Sequence, residues 1–281
     1  MEQDRTEPIP NGAKLQLTKG YSPMFGQFSR VLTYVATRAG EPRIPAEEIA
    51  EGTGLSGPHA GHIESILAAM GLLIPRVLRL SDLGQVVVAH DPYFDDLGTL
   101  WICHYQIASN PRHLVWNRCC NSLLPEARGP IALSASHFAD LAEQYTEKTL
   151  QKHVVKEIRA FVRAYTVHRF RNLDYLQVVD GRCTLSETPA PVPPLILLAT
   201  IVAYRDAVQP GANGMEIPLL CRGENSPGRI LHLGEWKLRA ALEALSQQGR
   251  IEIESRANLD QIRFAAHPSP AGLLAQYYEE R

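Results

Sequence analysis

The chain has 281 residues, 45% hydrophobic and 21% charged, with a formal net charge of −2. That length supports one large or two ordinary domains that bury their own cores, and the charge balance excludes a global positive field drawing the protein onto nucleic acid, so any DNA contact must come from local patches. No apolar run approaches the ~20 residues of a membrane helix, and Glu2, Asp4 and Glu7 stand where a signal peptide is basic, so a cytoplasmic protein without membrane partners is expected.

Residues 1–20, with Pro8, Pro10, Asn11 and Gly12 close together, predict a loose arm. Phe28, Val31, Leu32 and Val35 recur at helical spacing until Gly40 and Pro42. Pro45 opens a short helix with Glu47 and Glu48 in its first turn, and Gly52-Thr53-Gly54 follows as a tight turn. Ser56 is placed to cap the next helix, which buries Ile63, Ile66, Leu67 and Met70 and ends at Gly71. Residues 77–80, a turn at Ser81-Asp82-Leu83-Gly84 and Val86-Val87-Val88 predict a two-stranded wing. Residues 21–90 thus carry the order of a winged helix-turn-helix.

Residues 91–172 predict a bundle of four helices: one capped by Thr99, one opened by Pro111, one opened by Ser134 or Ser136, and one from Glu147 to about Tyr165. A hairpin across Asp180-Gly181 and a stiff connection through Pro189, Pro191, Pro193 and Pro194 occupy 173–194. Residues 195–281 repeat the opening plan. An apolar helix is followed by short elements and an amphipathic helix from Glu235 to Gln248, and a second wing flanks Asn258-Leu259-Asp260. In both halves a helix ends in glycine, Gly71 or Gly249, and passes at once into a strand. The expected fold is mainly α, with two winged helix-turn-helix units joined by a helical bundle.

A winged helix reads DNA by placing basic or amide side chains of its third helix in the major groove. The first unit has neither Lys nor Arg between Ser56 and Met70; Gly57, Pro58, His59, Gly61, His62 and Glu64 are read as its exposed positions. It is better suited to docking a protein. The second unit offers Arg229, Lys237 and Arg239, with Arg256 in its wing. Lys152, Lys156, Arg159 and Arg163 follow at four- and three-residue steps as one stripe, which Arg169 and Arg171 extend, while Val154, Val155, Ile158, Phe161, Val162 and Tyr165 fill the other face. The stripe is either a phosphate-binding row or an ordinary solvated face beside Glu147 and Glu157.

Phosphate loops, GxSxG, HExxH and zinc-ligand spacings are absent from the sequence, and Cys103, Cys119, Cys120, Cys183 and Cys221 form no CxxC pair. They are read as reduced core residues, and no cofactor or metal is expected. Asp91, Asp95, Asp96 and His104 are the one cluster resembling an acid-base or metal site, with turn formation and helix-end placement as the simpler account.

The run DPYFDDLGTLWICHYQ, from Asp91 to Gln106, resembles the hallmark of the prokaryotic domain-of-unknown-function family 4007, with its Asp-Pro-Tyr, Gly-Thr-Leu-Trp and following His. Leu150 to Tyr165 looks like a second block of that family. The resemblance implies a gene setting beside sulfur-transfer and PAPS-reductase-like genes of DNA phosphorothioation and phage defence, hence a DNA-associated accessory role. It also marks Asp91, Tyr93, Asp95, Asp96, Trp101 and His104 as motif residues, and His59 and His62, read from the exposed face of the third helix, join them as candidate partner-facing residues. The expectation is a non-enzymatic DNA-binding accessory subunit of a DNA-modification or defence complex. The alternatives are an adaptor that recruits sulfur-transfer or nuclease proteins without touching DNA, and a transcription regulator of the same operon.

Overall fold

A computed structural model of the chain describes residues 12–41, 43–256 and 259–281. The first eleven residues of the expected arm, Pro42 and Asn258 lie outside the described residues. The later part of the arm is not loose: Leu15, Leu17 and Thr18 are buried, because the segment runs along the long helix of the middle region.

The fold is mainly α. Helices α1 (Phe25–Thr37), α2 (Ala46–Thr53) and α3 (Gly57–Ala69) form where the apolar periodicity places them. Gly54 at φ +65° and Gly71 at φ +75° end α2 and α3 in the left-handed conformation that a side chain disfavours. Ser56 makes no side-chain cap to α3.

The first wing is the main correction. Strand β1 (Leu73–Ile74) pairs only with β2 (Arg79–Leu80), and the expected second strand through Val86, Val87 and Val88 lies in helix α4 (Asp82–His90). Ser81 decides the outcome, since its hydroxyl accepts from the Gly84 amide at 2.9 Å and caps the helix, with Asp82 in the first turn. Gly84 serves close approach rather than a turn. A Cβ there would stand 2.1 Å from the Leu72 carbonyl oxygen.

In the middle region α5 (Leu97–Ala108) is capped by Asp96, not Thr99, through a 2.6 Å bond from the Gly98 amide. Helix α6 begins at Leu114 rather than at Pro111 and runs only to Arg118, passing into a wider turn over Cys119–Leu123. The third expected helix is a 3-10 segment, Ala135–Glu143, capped by Ser134 and kinked at Phe138. Helix α7 (Glu147–Thr166) matches expectation, capped by Thr146. Strands β3 (Leu176–Val179) and β4 (Arg182–Leu185) form the hairpin across Asp180-Gly181, both at positive φ.

The C-terminal region follows as α8 (Pro194–Val208), β5 (Gly214–Glu216), α9 (Ile217–Arg222), α10 (Pro227–Ile230), α11 (Glu235–Gln247), β6 (Ile251–Arg256), β7 (Leu259–Phe264) and α12 (Pro270–Glu279). Its antiparallel sheet has the order β5-β7-β6. Gly249 closes α11 as Gly71 closes α3, and the bonds match: Arg250 N to Leu245 O at 3.0 Å against Leu72 N to Leu67 O at 2.9 Å. Helix α12 packs back onto α8, α4 and α5, so the end of the chain is seated on the first third. No described helix is long and apolar enough to cross a membrane.

Candidate nucleic-acid interface

The motif Asp91 to Tyr105 is where the regions meet. Asp91 is buried, and its carboxylate accepts from the amides of Asp95 at 2.8 Å and Asp96 at 3.0 Å, folding the turn that holds Phe94 at φ +58°. Phe94 enters the core edge-on to Phe25, with ring centroids 5.2 Å apart. Burial raises the Asp91 pKa against these hydrogen bonds. Asp95 pairs with Arg169 at 2.7 Å, and Asp96 with Arg281.

His104 is fully buried and bonded at both nitrogens. Because Nε2 faces the Ile230 carbonyl at 3.0 Å it carries the proton, and Nδ1 accepts from the Tyr165 hydroxyl at 2.5 Å. Burial lowers its pKa to about 4, so the imidazole is neutral and joins α5, α7 and α10. Trp101 packs edge-on against His104 with centroids 5.5 Å apart. Gly98 lies under Tyr277 of α12, where a Cβ would approach a ring carbon to 2.5 Å. Within the motif Tyr93, 66% exposed, and Asp95 are what solvent meets.

The expected pair of exposed histidines is not observed. His62 is 1% exposed, covered by the Tyr21 ring at 4.9 Å, and burial lowers its pKa to about 4. Tyr21 stacks on His59 at 5.1 Å. Glu64, also expected outside, is 8% exposed. Both face inward because α3 packs on α2, α1 and α5, which leaves it a narrow solvent side.

On α7 the exposed row is observed: Lys152, Lys156, Arg159 and Arg163 all face solvent, over a core of Val154, Ile158, Phe161 and Tyr165. Val155 departs from expectation and is exposed. Glu157 departs in the other direction. It is buried and accepts from Thr18 N at 3.0 Å, Thr18 Oγ1 at 2.7 Å and Trp116 Nε1 at 2.9 Å. Desolvation raises its pKa against those three donors. Glu157 therefore clamps the inner face of α7 to the segment before α1 instead of neutralising the row outside.

None of Lys152, Lys156, Arg159, Arg163 and Arg171 has an ion-pair partner among the described residues, and Arg163 donates to Ser22 Oγ at 2.7 Å. The row ends at a cleft of about 290 Å³ lined by His168, Arg169, Arg171 and the start of α1. Met24 provides no side-chain cap there, so the first amides of α1 lack a side-chain acceptor. The second expected surface is differently disposed: Arg229 is paired with Glu126, Arg239 with Asp260, and Lys237 donates to the Glu187 carbonyl at 3.2 Å. Arg256 remains exposed on β6.

Residues 67–278 match the family described as "Protein of unknown function (DUF4007)", and the chain belongs to that family. The matched span ends within α12, the helix that seals the motif. The fold is similar to a crystal structure described as magnesium-ion-bound SspB, with a TM-score of 0.71 and 14% identity over 95% of this chain and 88% of that one. A further SspB crystal structure matches with a TM-score of 0.68, again at 14% identity and with the same coverage. No curated protein matches the sequence.

Proposed function

We propose that the protein is a DNA-binding accessory subunit of a prokaryotic DNA-modification or defence system, and that α7 holds the duplex by its phosphates. The observation that carries this is the row Lys152, Lys156, Arg159 and Arg163 on one exposed helix face, without ion-pair partners among the described residues. The cleft at Arg171 and the uncapped start of α1 extends the row with donors suited to another phosphate, whereas Arg169, which also lines it, is engaged by Asp95. The order α8, β5, α9, α11, β6, β7, with its three-stranded sheet, supports reading the C-terminal region as a winged helix, whose wing would add Arg256. In the first region the corresponding wing is reduced to the two-residue pairing of β1 and β2.

In this reading the protein performs no chemistry itself. His104 is neutral with both nitrogens engaged, and Asp91, Asp95 and Asp96 are committed to backbone amides and arginines. Supercoiled DNA incubated with the pure protein and Mg²⁺ should stay intact; nicking abolished by Asp95→Ala or His104→Ala would overturn this. For the binding itself, reversing Lys152, Lys156, Arg159 and Arg163 to Glu should abolish retention of duplexes of unrelated sequence while circular dichroism stays unchanged. Retention at the parent's affinity would sink the proposal.

A second reading, an adaptor that recruits another protein, is favoured by Trp236, which is 72% exposed at the start of α11. Trp236→Ala would then abolish capture of a partner and leave DNA binding alone.

A further inference from the structure

On another face, the end of α3, the last turn of α5 and α8 enclose a cleft of about 430 Å³, within the range of small-molecule sites. Small residues leave the space open: Ala68 and Ala69 from α3, and Ala203 and Ala207, one turn apart, from α8. None of its described lining residues is charged. A charged group entering it would give up water and meet no opposite charge, so the group that fits is neutral.

The polar groups on its walls are free to bind such a guest. The Gln106 carboxamide, half-buried on α5, lines the cleft and makes no hydrogen bond to a described residue. Tyr204 is 3% exposed and also lines it, and its hydroxyl has no hydrogen-bond partner among the described residues. Both groups keep accessible surface. Asn110 has its Oδ1 engaged by the Arg112 amide at 3.0 Å, which leaves its Nδ2 as a donor. The wall at Asn225 is rigid, since that residue is bonded to Asn121, Asn117 and the Tyr105 hydroxyl.

Gln106 presents a donor and an acceptor side by side, the pattern that pairs with the edge of a nucleobase. The surroundings differ sharply in charge. A second cleft, of about 600 Å³, shares Ala68, Ala69 and Asn110 with the first, and Lys14, Arg43, Arg76 and Arg112 line it without ion-pair partners among the described residues, while its one described acid, Glu64, is buried. A ligand that suits both clefts has a neutral, hydrogen-bonding head and an anionic tail. We propose that the uncharged cleft takes the base of an unpaired nucleotide, with Gln106 pairing to the base edge and the phosphate turned toward the neighbouring cations. A free nucleotide and an unpaired position in a strand offer this same chemistry. The site shares no residue with the α7 row and does not rest on the DNA-backbone reading.

The test is calorimetric titration of the full chain with the 5′-monophosphates of deoxyadenosine, deoxyguanosine, deoxycytidine and thymidine, with 2-deoxyribose 5-phosphate, and with a 5′-phosphorylated trinucleotide of each base. At least one monophosphate or trinucleotide should bind, and the sugar phosphate, which lacks the base, at least about tenfold more weakly for want of the hydrogen bonds to the head. A trinucleotide binding more tightly than its monomer identifies a strand as the source; the reverse identifies a free nucleotide. Gln106→Leu, which keeps the size and removes donor and acceptor, should lose about tenfold for the nucleotide and leave the sugar phosphate unchanged. Ala207→Trp, at an exposed position of α8, should block the cleft and leave the core untouched. The proposal is overturned if neither monomers nor trinucleotides bind at millimolar concentration, if the sugar phosphate binds as the nucleotides do, or if either folded variant binds as the parent does. The ligand series needs no variant and decides even if a substitution unfolds the chain.

Discussion

The α7 row and the C-terminal surface carry the same kinds of side chain and face different neighbours. Lys152, Lys156, Arg159 and Arg163 look outward, while the one acid within their span, Glu157, is turned inward to Thr18 and Trp116. On the other surface Arg229 and Arg239 are engaged by Glu126 and Asp260, acids 103 and 21 positions away in the chain. Availability for phosphate is set by where the acids fold, not by how many cations a helix contains.

The largest effect should come from comparing two charge reversals. Reversing the four α7 cations is expected to weaken duplex binding by at least about a hundredfold, since each phosphate attraction removed also becomes a repulsion. Reversing Arg229, Lys237, Arg239 and Arg256 should cost less than about tenfold, because two of those cations are already neutralised in place. Equal losses in fluorescence anisotropy would erase the distinction between the two surfaces.

The inward turn of Glu157 is tested by stability. Glu157→Ala leaves the buried Trp116 Nε1 and Thr18 donors unpaired, and denaturant unfolding should show a loss of about 3 kcal/mol. A change below about 0.5 kcal/mol, the level of an ordinary surface substitution, would place Glu157 back on the solvated face.

Acidification should weaken the fold that supports both surfaces. His62, His104 and His113 are each lowered to about 4 from 6.5, chiefly by burial. The stability from keeping them neutral is fully present above the unfolded value and is lost as pH falls from about 6.5 through 4. Glu64, Asp91 and Glu157, raised by burial, act in the opposite sense and offset part of that loss. Relative to the parent, His104→Gln should flatten the stability curve between pH 6.5 and 4 by on the order of 2 kcal/mol. An unchanged pH profile would contradict the buried neutral tautomer.

The smallest effect sharpens the comparison from the other side. Glu126→Gln with Asp260→Asn frees Arg229 and Arg239, and duplex affinity should rise about threefold as those two cations become available to phosphates. No gain would mean that the C-terminal surface lies away from DNA altogether.

Much of this arrangement is legible in the chain itself. The apolar periodicities of α1, α3, α7 and α11, the glycines at 71 and 249 and the Asp-Gly hairpin all appear where local chemistry puts them. The Val86-Val87-Val88 run misleads because β-branched residues suit a strand, and only the Ser81 cap and the close approach of Gly84 to Leu72 show that it joins a helix. Glu157 carries a usable signal: it stands three residues after Val154 and four before Phe161, on the buried stripe. The pairing of Arg229 with Glu126 and the convergence of Lys14, Arg43, Arg76 and Arg112 carry none, since both depend on tertiary folding between distant segments.

The central claim, that the exposed cation row on α7 meets phosphates, is tested most directly by the salt dependence of duplex affinity in the parent and the fourfold α7 reversal. The parent should show a steep linear fall of log affinity with log salt, and the reversal should flatten the slope by ~0.9 for each phosphate no longer neutralised, up to four phosphates. The same change should appear on duplexes of unrelated sequence. A folded reversal with the parent's affinity and slope would contradict the account and leave the row as a solvated helix face.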